Sequence, residues 1–335
     1  MQEAQLWHKE RNGVRCELCA RKCFIAKDKF GYCLVRKNVD NKLYTTNFGK
    51  IQDISFDAVE KRPLFHFFPA STNMSLTIPG DNFPTTDITQ LYKDRKQEAT
   101  VGKDYTPENI VSMAEDKGVF GISFSAAEPF MQFEFAYRVA KLSHRSNIKN
   151  ILVTNGFTTE EAVKKIAKFI DAVVINLKAS LDPEFYSKFL DVHDVRPIYD
   201  IIKQFKKQRV HIEITNTIVP QVGDNTDQCK KVAEWINAEI GSEFPVHIMQ
   251  FHYDPKLADI PMTPVSTLER CIEVTNNAGI RYVYIGGVPK HEMQNTICYN
   301  CREPLVIREG SKVKKVHLSK DRCPNCGLRI NMIVE

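Results

Sequence analysis

Met74-Ser75-Leu76-Thr77-Ile78-Pro79-Gly80-Asp81-Asn82-Phe83 carries the first clear sign of the fold class. Its first six residues form a short, mostly apolar run closed by proline and glycine, which predicts a strand over 74–79. The turn that follows has no Gly-x-Gly-x-x-Gly signature, so a dinucleotide-binding sheet loses its main support.

Downstream the same kind of run recurs at 119–125, 150–155, 172–177, 210–217, 245–251 and 281–286, with room for a helix between most neighbours. Such alternation is the pattern of βα units around a parallel sheet, and a partial TIM-type (β/α) barrel is the expected architecture. Function in that architecture gathers at the carboxyl ends of the strands. Helix starts are legible too. Thr106-Pro107-Glu108 sets a capping hydroxyl before a proline, and Gly118 closes that segment. Thr158-Thr159-Glu160-Glu161 opens another helix, with Ala162, Ile166, Phe169 and Ile170 on one apolar face.

With 335 residues, 43% hydrophobic and 26% charged, the composition is that of a folded globular chain and excludes disordered or collagen-like classes. There is no run of 18 apolar residues and no apolar signal core in Met1–Gly13, so a cytoplasmic location and no membrane association are expected. The net charge is +5, and residues 1–50 hold eleven Lys/Arg against five Asp/Glu. Basic ends touch nucleic acid in some proteins, but a solvated surface is the simpler reading.

Ten cysteines without a secretory signal point to reduced thiols, and eight of them lie in two groups. Cys298-x2-Cys301 and Cys323-x2-Cys326 flank 21 residues that alternate in strand fashion, a spacing that suits a closed structural Zn²⁺ site on a ribbon. Cys16-x2-Cys19-x3-Cys23-x9-Cys33 is also a four-thiol set, for zinc or, second in preference, an iron-sulfur cluster. Cys229 and Cys271 fall in helical patterns and read as core residues. Three regions are expected: 1–50 as an N-terminal four-cysteine segment, 51–290 as a barrel and 291–335 as a zinc ribbon.

Trp7-His8-Lys9-Glu10, the N-terminal cysteine pattern, Lys61-Arg62-Pro63-Leu64-Phe65-His66-Phe67-Phe68-Pro69, Glu128-Pro129, Val153-Thr154-Asn155-Gly156, Leu177-Lys178, Phe251-His252 and Arg281-Tyr282-Val283-Tyr284 occur in this order. Together they resemble the landmarks of the AmmeMemoRadiSam family of radical S-adenosylmethionine (SAM) proteins, akin to pyruvate formate-lyase activating enzymes. The resemblance runs from about residue 7 to about residue 327 and implies a partial barrel of the radical SAM kind. It also implies a Cys-x3-Cys-x2-Cys loop after the first barrel strand, holding a [4Fe–4S] cluster whose open iron chelates SAM. Here the matching positions are Asp81, Thr85 and Ile88, so every thiolate is replaced. Isoleucine offers iron no donor at all.

The remaining positions implied to hold SAM are mixed. Glu128, Asn155 and Lys178 are kept, Asn176 stands where an aspartate is usual, and Gln250 replaces an arginine. His66, His247, His252 and Glu213 add polar groups near strand ends, each more simply read as a structural contact. Asp81, Asp87 and Glu128 as a Mg²⁺ site, and His247 with His252 and Asp254 as another metal site, are weaker alternatives.

The expectation is a protein of this family that has lost its [4Fe–4S] cluster and radical chemistry, a pseudoenzyme stapled by one or two zinc ions that binds or scaffolds other molecules. Three alternatives stay open. One is an iron-sulfur protein with its cluster on Cys16, Cys19, Cys23 and Cys33. Another is an enzyme, with or without SAM, using Glu128, Lys178 and His252. The last is nucleic-acid binding through Lys312, Lys314, Lys315, Lys320 and Arg322. Memo-like and AMMECR-like proteins are partners implied by family analogy.

Overall fold

The seven predicted strands all form, at Thr72–Thr77, Gly121–Ser125, Lys149–Thr154, Ala172–Lys178, His211–Ile218, Val246–Gln250 and Val283–Gly286. The computed structural model describes residues 1–84, 101–252, 257 and 259–334. The chain divides into two units, the first made of residues 1–57, 73–173 and 187–210 and the second of 58–72, 174–186 and 211–335. The fold is mixed α/β.

In the first unit the strand Gly121–Ser125 lies between Thr72–Thr77 and Lys149–Thr154, parallel to both. Both faces of a parallel sheet are covered, which is why Ile122, Phe124, Ile151 and Leu152 are buried without alternation. The helix Pro107–Asp116 starts where its sequence dictates. Thr106 accepts from the backbone N–H of Asn109, and the Asn109 side chain accepts in return from the Thr106 N–H. Thr106→Ala should lower stability by about 1 kcal/mol, read as a small loss in urea midpoint at unchanged slope.

Before this sheet come two small antiparallel sheets. Trp7–Glu10, Gly13–Cys16 and Phe24–Ala26 form one, and Gln2–Glu3, Lys42–Thr45 and Arg36–Val39 the other. Cys19, Cys23 and Cys33 lie in the turns between their strands. A buried ion pair, Arg36 Nη2 to Glu134 Oε1 at 2.6 Å, ties the second of these sheets to the helix Phe133–Arg145.

In the second unit His211–Ile218, Val246–Gln250 and Val283–Gly286 run parallel, with Thr215 opposite His247 and His247 opposite Tyr284. Cys229 and Cys271 lie on the packed helices Thr226–Trp235 and Val265–Asn277, both buried, as expected of core thiols. A three-stranded antiparallel ribbon, Thr296–Ile297, Pro304–Glu309 and Lys312–Val316, completes this unit. Lys312, Lys314 and Lys315 lie on its last, largely exposed strand, and Lys314 pairs with Glu309 at 2.8 Å. Among the described residues, no helix is long and apolar enough to cross a membrane.

Candidate functional site

In the first unit Asp81, the described position of the cluster loop, and Asn155 adjoin Glu128. Gly80 enters the loop at φ +114, and an added Cβ would come within 3.1 Å of Met131 Cβ and Val35 Cγ1, so glycine is required there. Asp81 follows, and its Oδ1 accepts from the Phe83 N–H at 2.9 Å, closing an Asx turn. Thr85, Asp87 and Ile88 lie outside the described residues.

Glu128 is 1% exposed. Its Oε1 accepts from Thr154 Oγ1 at 2.8 Å and from the Phe130 N–H at 3.2 Å, and its Oε2 accepts from the Asn155 N–H at 2.8 Å. Burial pushes its carboxyl up to about 8 despite these donors. Burial thus works against the charged form that would meet an ammonium. Asn155 is equally committed, donating to Asn82 Oδ1 at 2.8 Å and accepting from the Phe157 N–H at 2.9 Å.

The four N-terminal cysteines surround one small cavity, which Arg36, Asn82 and Met131 also line. Asn82 therefore belongs both to this cavity and to the loop that follows Gly80. Cys16 and Cys19 are buried, while Cys23 and Cys33 are half-buried. Burial of its sulfur and the neighbouring Cys16 push the Cys33 thiol up to about 11, which favours the neutral thiol until a cation binds.

In the second unit Glu213 is fully buried. Its Oε2 accepts from His247 Nε2 at 2.7 Å and the Phe65 N–H at 3.0 Å, and its Oε1 from the His66 N–H at 2.7 Å and His211 Nε2 at 3.2 Å. Burial alone would raise its carboxyl, but these hydrogen bonds, led by His211 and His247, hold it well below the usual carboxylate range.

Beside it His66 is buried, and burial pushes its imidazole down to about 3. The neutral ring has one tautomer that fits. Nδ1–H donates to the Asn331 carbonyl at 2.7 Å, so Nε2 accepts from the Tyr284 hydroxyl at 2.6 Å. Tyr284 in turn accepts from Thr296 Oγ1 at 2.8 Å, which accepts from Arg308 Nη1 at 2.8 Å. Because the folded pKa lies below the unfolded value of 6.5, the unfolded chain binds the extra proton as pH falls from 6.5 towards 3. Stability should therefore drop by about 1.5 kcal/mol between about pH 6.5 and 5, and His66→Gln should flatten that slope in urea unfolding.

An open pocket of about 350 Å³ lies at the carboxyl ends of Val246–Gln250 and Val283–Gly286, with Glu60, Lys61, His247 and Gly287 on its wall. Gly287 has φ +83, and His252 Nε2 sits 2.8 Å from where its Cβ would be, which places the exposed His252 against this glycine. Lys178 ends the strand Ala172–Lys178 and is half-buried, its backbone N–H donating to Tyr186 Oη at 3.2 Å. Asn176 accepts from Thr215 Oγ1 at 2.6 Å, and Gln250 donates to the Thr263 carbonyl at 2.7 Å. Tyr253 and Asp254 lie outside the described residues.

At the end of the ribbon, Cys298, Cys301, Cys323 and Cys326 bring all four Sγ atoms within 4.8 Å of one another. Cys298 and Cys326 are 3.7 Å apart and Cys301 and Cys323 3.5 Å apart, a set that could hold a metal ion. His211, Tyr284, Thr296 and Arg308 were not among the residues expected from the sequence. The His211-x-Glu213 spacing was a usable signal, since residues two apart share a strand face, but Arg308 had none, being one arginine in an exposed-looking ribbon.

The chain is similar to several known proteins. The model of the Radical SAM superfamily matches residues 90–236. An uncharacterized protein of Methanocaldococcus jannaschii, MJ0808, is 35% identical over 342 residues, covering 100% of both chains. The pyruvate formate-lyase-activating enzyme of Clostridium pasteurianum is 26% identical over 175 residues, 48% of this chain and 72% of that one. Among solved structures, a radical SAM methyltransferase from Sphaerobacter thermophilus shares the fold, with a TM-score of 0.51 and 13% identity, over 66% of this chain and 68% of that chain. Taken with the strand order and the landmarks around Glu128, these likenesses place the chain in the radical SAM superfamily, in one family with the M. jannaschii protein and with relatives among the activating enzymes.

Proposed function

We propose that the chain is a radical SAM protein of the AmmeMemoRadiSam type that no longer performs radical chemistry and acts as a binding or scaffolding protein. The observation that carries this reading is the donor set of residues 81–88. A [4Fe–4S] centre that activates SAM needs three thiolates and one open iron, and the loop offers Asp81, Thr85 and Ile88 in their place. The residues present do not fit that cluster.

Two further observations support it. The Asp81 carboxylate oxygen Oδ1 closes a turn, and Glu128 and Asn155 are satisfied by internal partners. The superfamily match begins at residue 90, beyond the loop. The 350 Å³ pocket beside Glu60, Lys61 and His247 is then the place for a bound ligand or peptide, and Memo-like or AMMECR-like proteins are the partners to test.

A zinc ion in the ribbon belongs to the same reading. Zn–S bonds of about 2.3 Å set tetrahedral sulfur separations of about 3.8 Å. The C-terminal pairs at 3.5 and 3.7 Å suit that spacing, with all four positions filled by protein.

The decisive experiment incubates dithionite-reduced, anaerobically prepared protein with SAM and measures 5′-deoxyadenosine by chromatography, with calorimetry of SAM binding on the same sample. No product and no SAM binding are expected. Turnover to 5′-deoxyadenosine would sink the proposal whatever the metal content.

A further inference from the structure

We infer that Cys16, Cys19, Cys23 and Cys33 hold a four-iron, four-sulfide cluster through four thiolates, and that this chain is an iron-sulfur protein without an open iron. The inference stands apart from the proposed function, because a cluster with four protein thiolates leaves no site for SAM.

Sulfur spacing separates the two four-thiol sites. A single tetrahedral ion draws four sulfurs to about 3.8 Å, whereas a cubane holds its thiolates outside the corners of an inorganic core and so keeps them farther apart. Among the described residues the C-terminal cysteines are the one group of three or more possible ligands whose donor atoms all converge within 4.8 Å. No three of the N-terminal sulfurs approach so closely, yet all four cysteines line one small cavity. The same chain thus presents two sites of different gauge, one at the scale of an ion and one wider.

Charge favours the same occupant. Four thiolates on a 2+ iron-sulfide core make a dianion, which needs positive groups and hydrogen-bond donors when buried. Arg36 lines the cavity at 1% exposure, with Nη1 3.9 Å from Cys16 Sγ. Its Nη2 is held by Glu134, while its Nε is buried with no hydrogen-bond partner. A buried guanidinium nitrogen is costly to leave unsatisfied, and cluster sulfur supplies an acceptor at that wall. Arg21, also on the wall, is fixed over the Tyr32 ring at 3.6 Å and adds a second positive charge.

Position adds a third support. Asn82 lines this cavity and also accepts from the Asn155 side chain beside Glu128. The cluster would therefore adjoin the loop in which the superfamily's own cluster cysteines are missing.

The test is metal and sulfide analysis of full-length protein purified anaerobically and reconstituted with ferrous iron and sulfide. The expected result is about four iron, four acid-labile sulfide and one zinc per chain, with a broad absorption near about 400 nm that dithionite bleaches. Cys16→Ser and Cys33→Ser should each lose most of the iron and sulfide and keep the zinc, while Cys326→Ser should do the reverse. Two zinc per chain without sulfide, or one zinc and no iron after reconstitution, would overturn the assignment, and neither outcome depends on a variant folding. Release of 5′-deoxyadenosine by the same sample bears on the proposed function alone.

Discussion

If the ribbon cysteines hold the proposed zinc ion, replacing Cys323 by Ser will release it and unfold the ribbon. Cys323 is buried with Cys298 in a cluster that also contains Phe65, Tyr282, Tyr284, Leu305, Val306 and Ile330. These side chains are held against thiols that a bound ion would fix in place. Structural zinc sites contribute about 10–16 kcal/mol of apparent binding free energy at neutral pH, more than a typical domain's net stability. The expected result is loss of about one zinc per chain by mass spectrometry, with proteolytic cleavage appearing within residues 296–334. Wild-type protein treated with a strong chelator should show the same cleavage, reversed by adding zinc. Full protease resistance in the metal-free protein would mean that the apolar cluster alone holds the ribbon.

Glu213→Ala should cost about 3–5 kcal/mol, the largest effect expected from any substitution outside the cysteines. Removal of this fully buried carboxylate leaves His211, His247 and the N–H groups of Phe65 and His66 without their acceptor. Each buried donor so stranded costs about 1–3 kcal/mol before relaxation or water entry reduces the sum. Urea unfolding at pH 7 should show a lower midpoint at an unchanged slope. Because Glu213 is held ionised well below the usual carboxylate range, its contribution is present above the unfolded pKa of 4.5 and is lost as pH falls through the lower folded value. The carboxylate's own share of the gap between wild type and variant should therefore be constant from about pH 6 to 8 and narrow only in strong acid. A gap of under about 1 kcal/mol at pH 7 would show that the two histidines do not depend on this carboxylate.

The seven strands of the βα alternation were legible in the residues alone, because period, turn residues and caps are local properties of the chain. Thr106, Gly118 and Thr159 act within a few residues of their own positions, and they form the ends that were expected. The convergence of the ribbon cysteines was equally legible, since two Cys-x2-Cys turns bring sulfurs together by backbone geometry. That positions 81, 85 and 88 carry Asp, Thr and Ile and no cysteine was a matter of residue identity and needed no coordinates.

Other features of the sites depend on packing between distant segments. Cys16, Cys19, Cys23 and Cys33 have a spacing that suits zinc or a cluster, and the width of their cavity depends on Arg36, Asn82 and Met131, which come from three separate parts of the chain. Glu128 reads in sequence as an acid placed for a ligand, yet donors from Phe130, Thr154 and Asn155 occupy both of its oxygens. The hydrogen-bonded series from Arg308 through Thr296 and Tyr284 to His66 joins residues from opposite ends of the chain. Local pattern reports which backbone a residue favours. Which polar groups meet once water is gone is set by packing between segments, and only there do burial and partner together decide charge, tautomer and the room left for a metal.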